Sequence, residues 1–280
     1  MTDDDRQDED RQDDDRQNDD LVVECRGVSV GYGSDVVVRD VDLAVRRGEI
    51  VALLGGSGSG KSTLLKAITG LLRPRKGEVR LFGRPLHEVD RDERDALLRR
   101  TGMVFQQDAL FGSMTVLDNV ALPLRELTNL PAPVIREMAR MKLALVGLDG
   151  LENRLPSGIS GGQRKRAALA RASVLDPEVI FCDEPSAGLD PVVAAGVDET
   201  LLRFRDVLHI TIVAVTHELE SIRTIADRAV MLGEGGVLAS GTIEELSRSD
   251  EPYVHDFFHR VAEERPGQPG DAVAQLRQAG

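Results

Sequence analysis

Long hydrophobic runs are missing from this chain of 280 residues. No stretch reaches the ~20 apolar residues of a membrane-spanning helix, and no charged-then-apolar leader opens the sequence, so neither a span nor a signal peptide is expected. Cysteine is scarce. The two present, Cys25 and Cys182, fit a reducing compartment and sit in strand-like contexts without metal-ligand spacing. Positive charge is in deficit: the net charge is −13, opposite to the basic surface of a nucleic-acid binder, and no nucleic-acid partner is expected. Aromatics make up only 3% of the chain. Apolar residues, at 41%, suffice for one large domain or a domain with a subdomain.

The charge is uneven. Residues 1–20 hold eleven acids and three arginines in a DDDRQ, DEDRQ, DDDRQ repeat without one core-forming side chain. Such a segment buries too little surface to offset its ordering entropy, so a disordered, solvated acidic tail is expected, with docking on a basic partner as its functional alternative.

The densest signal is Gly55-Gly56-Ser57-Gly58-Ser59-Gly60-Lys61-Ser62-Thr63, after the apolar run 50–54 and before a helical stretch 64–68. Strand, glycine loop, helix is the order of a phosphate-binding P-loop. The glycines let successive N–H groups face one anion, and the helix N-terminus adds partial positive charge. Lys61 would reach the β and γ phosphates and Ser62 would ligate Mg²⁺.

Upstream, residues 21–25, 28–30 and 41–45 read as strands, with Gly31-Tyr32-Gly33 as a turn. Tyr32 there would stack on a nucleobase or pack on the sheet. Downstream, 78–82 and 102–105 read as strands around a charged helix at 90–100, and Gln106 ends the second strand where it can face a nucleotide. Residues 108–116 form an apolar loop, either a contact surface or packing beneath a subdomain. Helices are predicted over 116–122 and from Pro131 and Pro133 to Gly147. A mostly helical subdomain is expected over about 107–170.

Ile159-Ser160-Gly161-Gly162-Gln163 opens a basic helix. It offers free N–H groups to an anion, or Ser160 is simply its N-cap. Val179-Ile180-Phe181-Cys182-Asp183-Glu184 reads as a buried strand ending at a metal, with Asp183 holding Mg²⁺ and Glu184 orienting or deprotonating water. Asp190 and Pro191 read as N-cap and N1 of a helix to about Leu208. A strand over 210–215 ends at Thr216-His217, and a histidine at that end of an α/β sheet faces the ligand crevice. Residues 234–236 read as a hairpin turn. Val254, Phe257, Phe258 and Val261 mark an amphipathic helix that packs either on its own domain or on another copy.

Together these motifs resemble the ATP-binding subunits of ABC transporters over roughly residues 21–245, leaving 246–280 as a C-terminal extension. Walker A matches residues 55–63, the Q-loop glutamine Gln106, the signature Ile159 to Gln163, Walker B with its catalytic glutamate Ile180 to Glu184, the D-loop Ser186 to Asp190, and the switch histidine His217. Ile159 replaces the family's usual leucine. The resemblance implies an α/β P-loop ATPase core, a RecA-like sheet flanked by helices with an N-terminal antiparallel β part and an α-helical subdomain. It also implies ATP and Mg²⁺, with Ser62, Gln106 and Asp183 at the metal and catalysis by Lys61, Gln106, Glu184 and His217. A head-to-tail dimer would bring Ser160, Gly161, Gly162, Gln163 and Asp190 of one copy to the nucleotide of the other.

Residues 105–111, 119–126, 164–172 and 186–191 further resemble the Mla/Mce-associated ATPases. Those energise phospholipid or hydrophobic-lipid trafficking with a transmembrane permease and an Mce-type lipid-binding protein. That resemblance implies a peripheral subunit at the cytoplasmic face of the inner membrane, with residues 109–114 receiving the permease. The alternatives are an importer ATPase for another solute, such as amino acids, and a soluble non-transport ABC ATPase. The acidic charge and the single nucleotide-binding unit count against the second.

Overall fold

The computed structural model describes residues 20–259. The predicted acidic tail up to residue 19, Val261 and the chain beyond it lie outside the described residues.

Two sheets organise the chain. A four-stranded antiparallel sheet has the order β2-β1-β4-β5, from β1 (Leu21–Tyr32), β2 (Asp35–Arg46), β4 (Lys76–Leu81) and β5 (Arg84–Pro85). The six-stranded sheet has the order β10-β9-β3-β8-β7-β6. Its members are β3 (Ile50–Gly55), β6 (Thr101–Val104), β7 (Val179–Asp183), β8 (Thr211–Val215), β9 (Arg228–Gly233) and β10 (Gly236–Thr242). Strands β9, β3, β8, β7 and β6 run parallel, and β10 closes the edge antiparallel.

The helices are α1 (Lys61–Ile68), α2 (Arg91–Arg99), α3 (Val116–Leu127), α4 (Ala132–Leu145), α5 (Gly161–Ala172), α6 (Pro191–Leu208), α7 (Leu219–Ile225), α8 (Ile243–Ser247) and α9 (Pro252–His259). The fold is α/β, as expected.

Strand β3 shows how the layers form. All six of its residues are buried, the mark of a parallel strand covered on both faces. Its side chains alternate. Val51 and Leu53 pack with α1 and the antiparallel sheet, whereas Ala52 and Leu54 pack with α7, α8 and α9. Ile50 meets a third cluster with Ile180, Ile212 and residues of α3, α4, α5 and α6. Helix α1 therefore sits between the two sheets and carries the loop before it into the interior.

Three expectations shift. The two predicted strands 21–25 and 28–30 are one strand, because a register irregularity between Cys25 and Val28 absorbs the break in the pattern. Tyr32 is the last residue of that strand, paired with Asp35, and not part of the turn. Helix α3 runs through Pro123 to Leu127, since Leu124 is buried in the interhelical core and packing holds the turn that proline weakens. The amphipathic C-terminal helix packs on its own chain: Val254 and Phe258 are buried against Leu54, Leu219, Ile222 and Met231.

Candidate active site

Three adjacent parallel strands end at one edge. The register sets Leu53 beside Val215 and Val215 beside Asp183. The chain leaving each strand therefore delivers residues 55–60, His217 and Glu184 to the same crevice, outside the carboxyl ends where α/β sheets bind ligands.

The loop after β3 is held in shapes that exclude side chains. Gly55 and Gly60 have φ of 140° and 100°, where L-residues are strained. A Cβ on Gly60 would collide with Val38, and one on Gly55 with the Leu232 carbonyl. Ser57 and Gly58 form the exposed crest, while Gly60 and Thr63 are buried. Ser59 Oγ is buried without a hydrogen-bond partner among the described residues, and the N-cap Gly60 caps no helical N–H with a side chain. The first turn of α1 carries no acid, so its amides and the helix dipole present uncompensated positive charge to the crevice.

Lys61 curls back over this loop. Its Nζ donates to the carbonyls of Gly55 and Gly56, each at 2.8 Å. Burial lowers its pKa, against the opposing pull of Glu184 and Asp183. Ser62 Oγ donates to Asp183 Oδ1 at 3.4 Å. Burial pushes the Asp183 carboxyl up, against the Ser62 hydrogen bond and the charges of Lys66, Lys61 and Lys165.

Glu184 is 8% exposed and has φ of 54°, a conformation that non-glycine residues hold only when their surroundings enforce it. Its N–H donates to the Val215 carbonyl at 2.9 Å. His217 Nδ1 lies 2.8 Å from Glu184 Oε1. Glu184 Oε2 is buried and has no partner among the described residues.

Tyr32 stands 48% exposed at the end of β1, with Lys66 Nζ donating to its hydroxyl at 3.3 Å. The Gln106 side chain is exposed, and its carbonyl accepts from Lys165.

A second group lies around the start of α5. Ser160 and Gln163 close a capping box: Ser160 Oγ accepts from the Gln163 amide at 3.3 Å, and Gln163 Oε1 accepts from the Ser160 amide at 2.8 Å. The Gln163 side chain thus faces its own helix end. A Cβ on Gly162 would collide with Val193, and one on Gly161 would stand 3.2 Å from Leu189. These glycines let α5 approach the start of α6, which Asp190 caps by accepting from the Val193 amide at 3.1 Å.

So Lys61, Ser62, Asp183, Glu184 and His217 converge in one crevice, whereas Ser160, Gly161, Gly162, Gln163 and Asp190 form a separate face.

Lys165 escaped the sequence reading, which saw it only as part of a basic run. It is 5% exposed and touches both the Gln106 and the Glu184 carbonyls. The available signal was a lysine in the inward stripe of α5, between Gly162 and Leu169.

Among the described residues no group of three or more His, Cys, Asp or Glu could hold a metal ion. The donor set is instead one hydroxyl and one carboxylate beside a phosphate cradle, which suits Mg²⁺, an ion held by one or two carboxylates plus substrate phosphates.

Known proteins resemble this chain in sequence and in fold. The chain is 44% identical over 237 residues to the probable ribonucleotide transport ATP-binding protein mkl of Mycobacterium tuberculosis, covering 85% of this chain and 66% of that relative. The chain thus spans just under two thirds of the mycobacterial protein. It is 39% identical over 237 residues to the intermembrane phospholipid transport system ATP-binding protein MlaF of Haemophilus influenzae, covering 85% of this chain and 90% of the relative.

Among solved structures, cbiO1 from Clostridium perfringens, part of the ABC transporter complex cbiONQ, superposes with a TM-score of 0.76 at 29% identity, over 83% of this chain and 93% of that one. A dimeric ATP-binding cassette in a post-hydrolysis state bound to ADP and Pi superposes at 0.71 with 31% identity, over 79% and 98%. The profile of the ABC transporter family matches residues 38–187, a segment that starts within β2 and carries the glycine loop, Gln106, the α5 cap, Asp183 and Glu184. With the phosphate cradle, the paired carboxylates and this match in agreement, the chain belongs to the ABC transporter family.

Proposed function

We propose that this protein is the ATP-hydrolysing subunit of an ABC complex that moves phospholipid or another hydrophobic lipid. The observation that carries the hydrolytic reading is the Glu184 carboxylate: Oε1 is engaged by His217 at 2.8 Å, while Oε2 is buried with no hydrogen-bond partner among the described residues. An anchored carboxylate with one unengaged oxygen can accept a proton from a positioned water.

The triphosphate lies along the amides of residues 55–63, and the Tyr32 ring takes the adenine. Lys61 exchanges the Gly55 and Gly56 carbonyls for β- and γ-phosphate oxygens. Ser62 and Asp183, with Gln106 at the edge, would hold Mg²⁺, which would supply charge neutralisation at the triphosphate. Glu184 Oε2 holds the attacking water and takes its proton as the water oxygen bonds to the γ-phosphorus. The bond from that phosphorus to the bridging oxygen breaks, and ADP leaves with the electron pair. His217 keeps Glu184 oriented. Ser160 and Gly162 of the partner subunit donate to the γ-phosphate, making the sandwich a dimer of two copies with residues 55–63 of one facing residues 160–163 of the other.

The domain limits we assign are 21–245 for the ATP-binding domain, with a helical part over about 107–170, and 246–280 for the extension. The lipid reading rests on the similarity to MlaF over 90% of its length. It implies a transmembrane permease contacting residues 109–114, an Mce-type lipid-binding protein, and a peripheral site at the inner face of the membrane. Within the described residues no helix is long and apolar enough to cross a membrane. The mkl relative's name supports ribonucleotide transport as the second reading.

The deciding experiment is Glu184→Gln. Its turnover should fall by about 10²–10⁴, the scale for losing a positioned general base. With saturating Mg-ATP the variant should run as a dimer in light scattering. Mass spectrometry of the complex purified from membranes should then recover lipid. Wild-type turnover, or a monomer under those conditions, would refute the site. Co-purified ribonucleotide without lipid would overturn the cargo.

A further inference from the structure

A buried lysine is rare unless its ammonium is fully partnered. Lys165 Nζ has three donors, and three oxygens surround it: it donates to the main-chain carbonyls of Gln106 at 2.7 Å and Glu184 at 3.3 Å, and it forms an ion pair with Asp108 Oδ1 at 3.1 Å. These oxygens come from the segments that follow two neighbouring strands, β6 and β7, which pair in register up to Val104 and Cys182. The lysine itself comes from α5, whose first turn carries the capping box.

The two strand ends share a second property. Asp108, Ala109 and Glu184 all have positive φ, at 60°, 48° and 54°, conformations that relax unless held. Arg171 adds to the clamp by donating to the carbonyls of Asp108 and Ala109 at 3.0 and 2.7 Å. Arg164 lies 3.7 Å from Asp108. The segment so held continues into Phe111, which is 51% exposed.

From this geometry we infer that Lys165 is a positioning residue, whose two hydrogen bonds and ion pair with Asp108 make the orientation of Glu184 depend on the placement of residues 106–108 and of α5. Displacing residues 106–108 withdraws two of the three oxygens. The ammonium must then follow them, and the Glu184 carbonyl loses its side-chain donor. Glu184 can leave the strained conformation that aims its carboxylate into the crevice. Helix α5 is carried by the same bond, so the cap at Ser160 and the carboxylate at Glu184 move together. The inference rests on the reading of Glu184 as the residue that handles the attacking water.

The test uses the full chain carrying Lys165→Met, Lys165→Arg, the double variant Lys165→Met/Asp108→Asn, or Glu184→Gln. ATP turnover and equilibrium binding of a fluorescent non-hydrolysable ATP analogue are measured for each. Lys165→Met should lower kcat by about ten- to a hundredfold, the scale for a small misplacement of a reacting group, while KM and analogue affinity stay within about twofold. Lys165→Arg keeps the charge and N–H donors but presents them in a planar fork, so it should recover part of the kcat lost in Lys165→Met. The double variant leaves no buried unpaired charge and should fold, yet remain as slow as Lys165→Met.

A folded double variant with wild-type kcat, beside an inactive Glu184→Gln, would overturn the role of Lys165 and leave the catalytic reading intact. Lys165→Arg as slow as Lys165→Met would show that bulk, not donated bonds, matters, and would overturn it as well. Wild-type turnover in Glu184→Gln would remove the catalytic reading and this inference with it.

Discussion

Replacing Phe258 by alanine tests whether the C-terminal helix belongs to its own domain. The ring is 1% exposed and packs with Val254, Leu54, Leu219, Ile222 and Met231. Leu54 lies on β3, one residue before the glycine loop, so the cavity would open directly behind the phosphate cradle. Removing a fully buried phenylalanine costs about 3–5 kcal/mol, a large part of the roughly 5–15 kcal/mol that holds a domain folded. A domain of this size loses about 2–4 °C of melting temperature per kcal/mol, so Phe258→Ala should melt about 6–20 °C lower. Circular-dichroism melts without nucleotide, over a wide range of protein concentration, measure the shift. Contacts within one chain make it independent of concentration. Tyr253 rides on the same helix, and a Cβ on Gly56 would lie 2.7 Å from its hydroxyl, so ATP affinity should fall as well. A shift under about 2 °C, well below the cavity cost, or one that grows with dilution, would refute the packing argument and point to a helix docked on another copy.

Lys61→Ala should abolish hydrolysis while leaving the melting temperature near wild type, because Nζ contacts only loop carbonyls when no phosphate is bound; a phosphate-release assay checks this. Burial raises the Asp183 pKa, so its charged form costs stability: the contribution is present below the unfolded value and lost as pH rises through the folded one. A proton also competes with the metal there, and half-saturating Mg²⁺ should therefore rise on acidification at a higher pH than an exposed aspartate would give, a trend Asp183→Asn should remove. The Cys182 thiol is pushed up to about 12 by burial and then by Asp183, and burial pushes Cys25 up as well; a thiol reagent at neutral pH should label both only as fast as the protein unfolds.

Much of the site was legible as a list of candidates, because its signals are local. A glycine loop between an apolar run and a helix, two acids after four apolar residues, and Asp-Pro before a helical stretch each need only a few neighbouring residues to make sense. The capping roles of Ser160 and Asp190 were open to the same reading, since a side chain reaches an amide three residues away. Lys165 was not legible. Its partners Gln106 and Glu184 are 59 and 19 residues distant, and its place in the inward stripe of α5, between Gly162 and Leu169, hints at burial without naming what it meets.

Sequence alone therefore determined most of the elements and their order, though not the short helices α7 and α8, because strand alternation, caps and glycine conformations are short-range physics. It could not decide which strands adjoin, and that choice brings Gly55, Glu184 and His217 to one edge through the neighbouring of β3, β8 and β7. It left open whether Val254 and Phe258 bury against their own domain, a matter of which apolar surface lies within reach. It also could not show that Gly60 must be glycine because Val38 of a different sheet presses against it. Those outcomes depend on close packing between distant segments, which exists only once the chain has folded.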